Sequence, residues 1–189
     1  LDAKLGRVPP VVEPDDPTRR RAGEMGTEHE RRMLAEYRLR HPGSVVEIES
    51  VASSDDHALA RAVQRTAAAL IDPGVSVLYQ AAFADGDFVG FADFLVREPD
   101  GAWRVQDTKL ARHARVTALM QLAAYVDQLD RMAMPRSDGV DLLLGDGTTS
   151  SHAVDDLLPV FGVRRARLRA LIEDRQIHRG ADGAAIAWG

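Results

Sequence analysis

The chain has 189 residues, 45% of them hydrophobic and 28% charged, with a net charge of −5 and no cysteine. That length suits one domain with a real core, and that balance excludes a disordered tail or a membrane bundle. Without cysteine there is no disulfide framework, thiolate nucleophile, Cys-ligated zinc or iron–sulfur cluster, so a metal would have to be held by oxygen and imidazole.

Residues 1–17, with Pro9, Pro10, Pro14 and Pro17, form an extended lead-in broken by prolines. They lack the basic patch and apolar run of a secretion signal, and no apolar stretch reaches the roughly 18 to 20 residues of a membrane helix. A cytoplasmic protein without a membrane partner is expected. Residues 18–189 are expected to form a single domain. From Thr18, a possible cap, a long helix should run to the stop at Pro42-Gly43, with Gly26, His29, Met33 and Tyr37 on one face. "SVVEIES" is a short strand. "SSDDHALARAVQRTAAALIDPG" is a helix, with Ser54 set before two first-turn aspartates and an Asp-Pro-Gly terminus.

Three strand-like runs follow: "VSVLYQAAFA", "FVGFADFLVRE" and "AWRVQDTKL", separated by Asp85-Gly86-Asp87 and Pro99-Asp100-Gly101. They read as an antiparallel meander. "RVTALMQLAAYVDQLDRM" has helical periodicity at Val116, Leu119, Met120, Ala123 and Val126, "GVDLLLGDG" is a buried strand ending in a turn, and a last helix spans 154–178 with its first turns made irregular by Pro159 and Gly162. The order predicts an α/β (α+β) fold: a mixed central sheet with an antiparallel meander, flanked by helices.

The charges of the meander carry the chemistry. A three-residue loop at Pro99-Asp100-Gly101, a type I turn closed by a left-handed glycine, sets Glu98 opposite Ala102 and so Asp93 opposite Asp107. Such partners have Cβ atoms about 4.5 to 5.5 Å apart, and two carboxylates there repel unless a proton or cation intervenes. Lys109 projects to the same face as Asp107. A plain Asp107–Lys109 ion pair with Asp93 capping a turn is the bland alternative, but Phe91, Leu95, Trp103 and Val105 around these charges make burial without function costly. Only Lys4 and Lys109 among the 24 basic residues are lysines, so Lys109 resists a strong preference for arginine.

"GFADFL" followed by "QDTK" resembles the paired motifs of the PD-(D/E)XK nuclease superfamily, and "GTEHE" and "QLAAY" narrow the resemblance to its RecB-like branch, which includes the CRISPR-associated RecB-like nucleases. The four motifs occur in order from Gly26 to Tyr125; Ala92 stands where the superfamily has its proline. The resemblance implies a restriction-endonuclease-like sheet, with His29, Asp93, Asp107 and the carbonyl of Thr108 as ligands of Mg²⁺ or Mn²⁺. It further implies Lys109 as the catalytic lysine, and Gln121 and Tyr125 as residues that orient Lys109 or touch the substrate phosphate. Gln80 or Tyr79 is expected to border the site, Glu28 to support it, and Arg112, His113 or Arg115 to hold flanking phosphates.

The expected activity is metal-dependent hydrolysis of DNA, with single strands favoured by analogy and with little sequence specificity. Two other readings are weighed: a silent nuclease-like domain that binds DNA or scaffolds a helicase, and a phosphoesterase of small molecules. Many members of the branch hold an iron–sulfur cluster on terminal cysteines that this chain lacks. The chain begins without methionine and ends on "GAAIAWG", as expected of a piece of a longer protein that holds such a cluster or a helicase domain or subunit elsewhere.

Overall fold

The computed structural model describes residues 17–182 except Ser53, Asp87 and Arg112, and no side chains at 17–20, 22 or 175–182. The expected extended lead-in therefore lies outside the described residues up to 16, and Pro17 already opens a helix.

Four helices and six strands alternate as α1 (Pro17–Arg40), β1 (Val45–Glu47), α2 (Asp56–Ile71), β2 (Val77–Asp85), β3 (Phe88–Arg97), β4 (Trp103–Lys109), α3 (Val116–Arg131), β5 (Gly139–Leu144), β6 (Thr149–Ala153) and α4 (Val154–Asp182). The strands form one mixed sheet in sequence order. β2, β3 and β4 are the antiparallel meander, α2 and α3 are crossovers between the parallel pairs β1–β2 and β4–β5, and β6 returns antiparallel to β5. The α+β architecture expected from the sequence is the one observed.

The helices divide unequally between the two faces. On one face, among the described residues, α1 alone packs, setting Leu34 and Tyr37 onto Val77, Phe94 and Leu143. On the other, Leu70 of α2, Leu122, Val126 and Leu129 of α3, and Leu157 of α4 enclose Leu78, Leu95, Trp103 and Leu142. Burying side chains of this size from water, at roughly 1.5 to 3 kcal/mol each, is what holds the layers together.

Several local details differ from expectation. The cap of α2 is Asp55, whose carboxylate accepts from the Ala58 N–H at 2.9 Å, and not Ser54. The aspartate lies one residue nearer the first turn, and its negative charge also suits the helix N-terminus. Val116 opens α3 exposed instead of joining its apolar face. α4 is continuous through Pro159 and Gly162; proline in the second turn frees only a carbonyl near the helix start, where water can reach it. β6 was not expected at all, because "TSSHA" is small and polar, and it forms by folding back on β5 across the turn at Gly147 (φ +85).

Candidate metal centre

The β3–β4 hairpin forms as its loop dictates. Gly101 has φ +90, its N–H donates to Glu98 O at 2.9 Å, and Glu98 N–H donates to Ala102 O at 2.8 Å. The ladder runs from Arg97↔Trp103 to Phe94↔Gln106, so the next residues along it are Asp93 and Asp107. The ladder stops there. Asp93 sends Oδ2 to Thr108 instead, accepting from its N–H at 2.8 Å and from its hydroxyl at 2.7 Å.

Asp107 is the most buried charge of the group, its side chain only 1% exposed, and the Nζ of the more open Lys109 lies against its Oδ2. Among the described residues Oδ1 meets no hydrogen-bond donor, and Oδ2 is met by the ammonium of Lys109. Burial, and then the neighbouring charge of Asp93, raise its pKa from 3.8 to about 7, against a smaller opposing pull from Lys109. A buried carboxylate beside a second one, with a single ammonium for the two, is costly. A hard divalent cation, which prefers oxygen ligands, is the kind of group that would satisfy it.

The β2–β3 ladder has a matching break. It passes from Tyr79↔Phe94 to Ala81↔Ala92 and omits Gln80 and Asp93. Gln80 has φ +58, a left-handed conformation rare for a residue with a side chain. Tyr79 and Phe94 pack toward α1, whereas Phe83 and Ala92, of the same parity, pack on the opposite face. Side-chain alternation is thus reset on both strands at Gln80 and Asp93, which lie side by side at the discontinuity. Nothing in the alternating pattern of "YQAAF" signals it.

Gln121 and Tyr125, one helical turn apart on α3, are brought together as the spacing predicts. Gln121 Nε2 donates to the Tyr125 hydroxyl at 3.2 Å, and that hydroxyl donates to Phe91 O at 2.6 Å. The pair ties α3 to β3 two residues from Asp93. Gly90 makes room for the ring, since a Cβ there would sit 2.8 Å from Tyr125 Cε1 and 2.7 Å from Phe88 Cζ. Burial raises the pKa of Tyr125, and the charges of Asp107 and Asp93 add to it, consistent with a neutral phenol bordering the acids.

The remaining expected residues are placed less centrally. His29 is buried, with Nε2 3.1 Å from Leu143 O and Nδ1 2.8 Å from an Arg32 nitrogen. Both ring nitrogens are engaged away from Asp93 and Asp107. Gln80 donates to Glu30 of α1. Arg115 is the exposed N-cap residue of α3, Glu28 and His113 are exposed, and Arg112 lies outside the described residues. The sequence reading missed Glu30, which is half-buried beside His29; its pKa is raised by burial and by the charge of Asp93. Helical periodicity picks out the apolar face on which His29 lies, and Glu30 stands to one side of it.

Among the described residues no three His, Cys, Asp or Glu side chains are drawn together as a ready-made cation cage. The donors that do converge are the carboxylates of Asp93 and Asp107, next to the backbone of Thr108. Their oxygen chemistry fits Mg²⁺ or Mn²⁺. Among the described residues no helix is long and apolar enough to cross a membrane. Comparisons with protein-family models, with curated proteins and with solved structures each gave no match.

Proposed function

We propose that this chain is a divalent-cation-dependent phosphodiesterase acting on DNA, with Asp93, Asp107 and Lys109 at its centre. One observation carries the reading: the Asp107 carboxylate is buried beside a second carboxylate, Asp93, with the single ammonium of Lys109 against its Oδ2. One ammonium leaves two neighbouring acids with excess negative charge, which a divalent cation would neutralise. The four ordered motifs that resemble the RecB-like nucleases support the same reading, and single-stranded DNA is the substrate that resemblance favours.

Asp93 and Asp107 would hold Mg²⁺ or Mn²⁺, with the Thr108 carbonyl as a further oxygen. His29 would join them only by giving up its contacts with Leu143 and Arg32. When bound, such an ion polarises a phosphate and lowers the pKa of a water. Lys109, whose ammonium lies beside Asp107, would supply positive charge to the phosphoryl oxygens in the transition state. Gln121 and Tyr125 act through structure, since the Tyr125 hydroxyl is committed to Phe91 O and thereby fixes β3 beside Asp93.

A silent nuclease-like domain that binds DNA or supports a helicase is the rival reading. The lack of a ready-made three-ligand cage among the described residues favours it. Incubating the chain with end-labelled single- and double-stranded DNA under Mg²⁺, Mn²⁺ or EDTA separates the two. Metal-dependent cleavage lost in both Asp107→Ala and Lys109→Ala supports the enzyme; DNA binding without cleavage under either metal supports the silent domain.

A further inference from the structure

We infer that Glu30 is the third acidic group of the cation site, and that Gln80 holds it in reserve until an ion enters. The inference rests on the reading of Asp93 and Asp107 as cation ligands.

Its first support is the backbone. Gln80 keeps φ +58 in the middle of a strand, a conformation disfavoured for a residue with a Cβ. What the side chain does there is donate its Nε2–H to Glu30 Oε1. The residue it neighbours across the interrupted ladder is Asp93. One discontinuity of the sheet therefore holds Glu30 through Gln80 and sets Asp93 at the same point.

The second support is the company Glu30 keeps. Its hydrogen-bond partners are neutral donors, the Gln80 amide and the Tyr79 hydroxyl. It also feels the charges of Asp93 and Lys109, the same two groups that flank Asp107. A half-buried carboxylate beside a second carboxylate, held only by neutral donors, has most to gain from a cation. His29, one residue earlier, is already occupied on both nitrogens.

The third is access. Glu30, Tyr79 and Gln80 line an open groove of about 530 Å³ together with Thr27, Arg31 and Arg65. A hydrated ion can approach Glu30 through it. Rotation of the Glu30 side chain away from Gln80 would then add a third carboxylate, so that the cage forms only as the ion enters.

The test is cation binding by the whole chain, measured by calorimetry with Mg²⁺ and by the paramagnetic resonance of Mn²⁺, in the absence of DNA. The proteins are wild type, Glu30→Gln, His29→Asn and Asp107→Asn, each checked for folding by circular dichroism. The expected result is binding by wild type, loss in Asp107→Asn, and weakening of about 10-fold or more in Glu30→Gln, with His29→Asn less affected than Glu30→Gln. If Glu30→Gln does not fold, Glu30→Asp replaces it with the same expectation. Binding lost in Asp107→Asn but weakened less than that in the Glu30 variant, or weakened more in His29→Asn, overturns the role of Glu30 and leaves the proposed centre standing. Absence of binding by wild type at millimolar metal, or unchanged binding in Asp107→Asn, overturns both.

Discussion

Lys109 and Asp107, two residues apart on one strand, are in ionic contact, yet the aspartate so paired is buried beside the like charge of Asp93. The pair is therefore a poor stabiliser. Replacing a buried charge by a neutral isostere is often neutral or favourable when the charge was badly satisfied. Asp107→Asn is expected to raise the melting temperature of the metal-free protein at pH 8 by a few degrees, corresponding to about 1 to 2 kcal/mol. The same variant should lose at least about 100-fold in DNA cleavage. Differential scanning calorimetry beside a cleavage assay checks both; a lower melting temperature would make Asp107 a structural residue.

The pH dependence of stability in EDTA follows from the same carboxyl. Its folded-state pKa lies near 7, above the value of 3.8 for the free group, so between those values the folded chain holds a proton that the unfolded chain has released. The stabilisation from that proton is complete below about pH 4 and is lost as pH rises through about 7. Urea unfolding at pH 5.5 and pH 8 should show wild type less stable at the higher pH by a few kcal/mol, with a smaller difference in Asp107→Asn. Saturating Mg²⁺ should reduce the dependence by favouring the ionised form.

Gly90→Ala tests the Tyr125 tie. The added methyl would overlap Phe88 and Tyr125, forcing the ring off Phe91 O at a cost of about 1 to 3 kcal/mol. Tyr125→Phe removes only the hydroxyl and should cost about 1 kcal/mol. Thermal denaturation of the two variants should rank them in that order, and combining them should cost less than the sum, because both act on one contact.

Arg97→Lys is expected to destabilise more than its conservative chemistry suggests. The guanidinium donates to the carbonyls of Val75, Leu70 and Asp72 at 2.8, 3.1 and 2.8 Å and lies 4.3 Å from the centroid of the Trp103 ring. A lysine cannot reproduce that planar fork over an aromatic face. A loss of about 1 to 2 kcal/mol in urea unfolding is expected, with no change in cation binding.

The meander was legible because Pro99-Asp100-Gly101 fixes the turn type, and the turn type fixes which residue of β3 meets which residue of β4. The same count led to Asp93 and Asp107. Gln80 was expected beside the site, but its backbone was illegible for the opposite reason: a left-handed residue inside a strand has no compositional signature when it is not glycine or asparagine. Glu30 escaped because helical periodicity selects a face, and His29 occupied the apolar one. β6 carries no alternation of large apolar residues; its pairing is decided by β5, already in place beside it.

The unequal covering of the sheet has a kinetic side. α1 is fastened to its face through a small cluster, Leu34 and Tyr37 on Val77, Phe94 and Leu143, whereas the opposite face is sealed by three helices that share one core. Amide hydrogens of α1 should therefore exchange with solvent through a partial opening that leaves the α3 amides protected. Since Glu30 and His29 ride on that loosely held helix, an ion or a DNA strand captured beside them would slow α1 exchange first. Exchange mass spectrometry can thus report occupancy of the site even in a variant that cuts nothing.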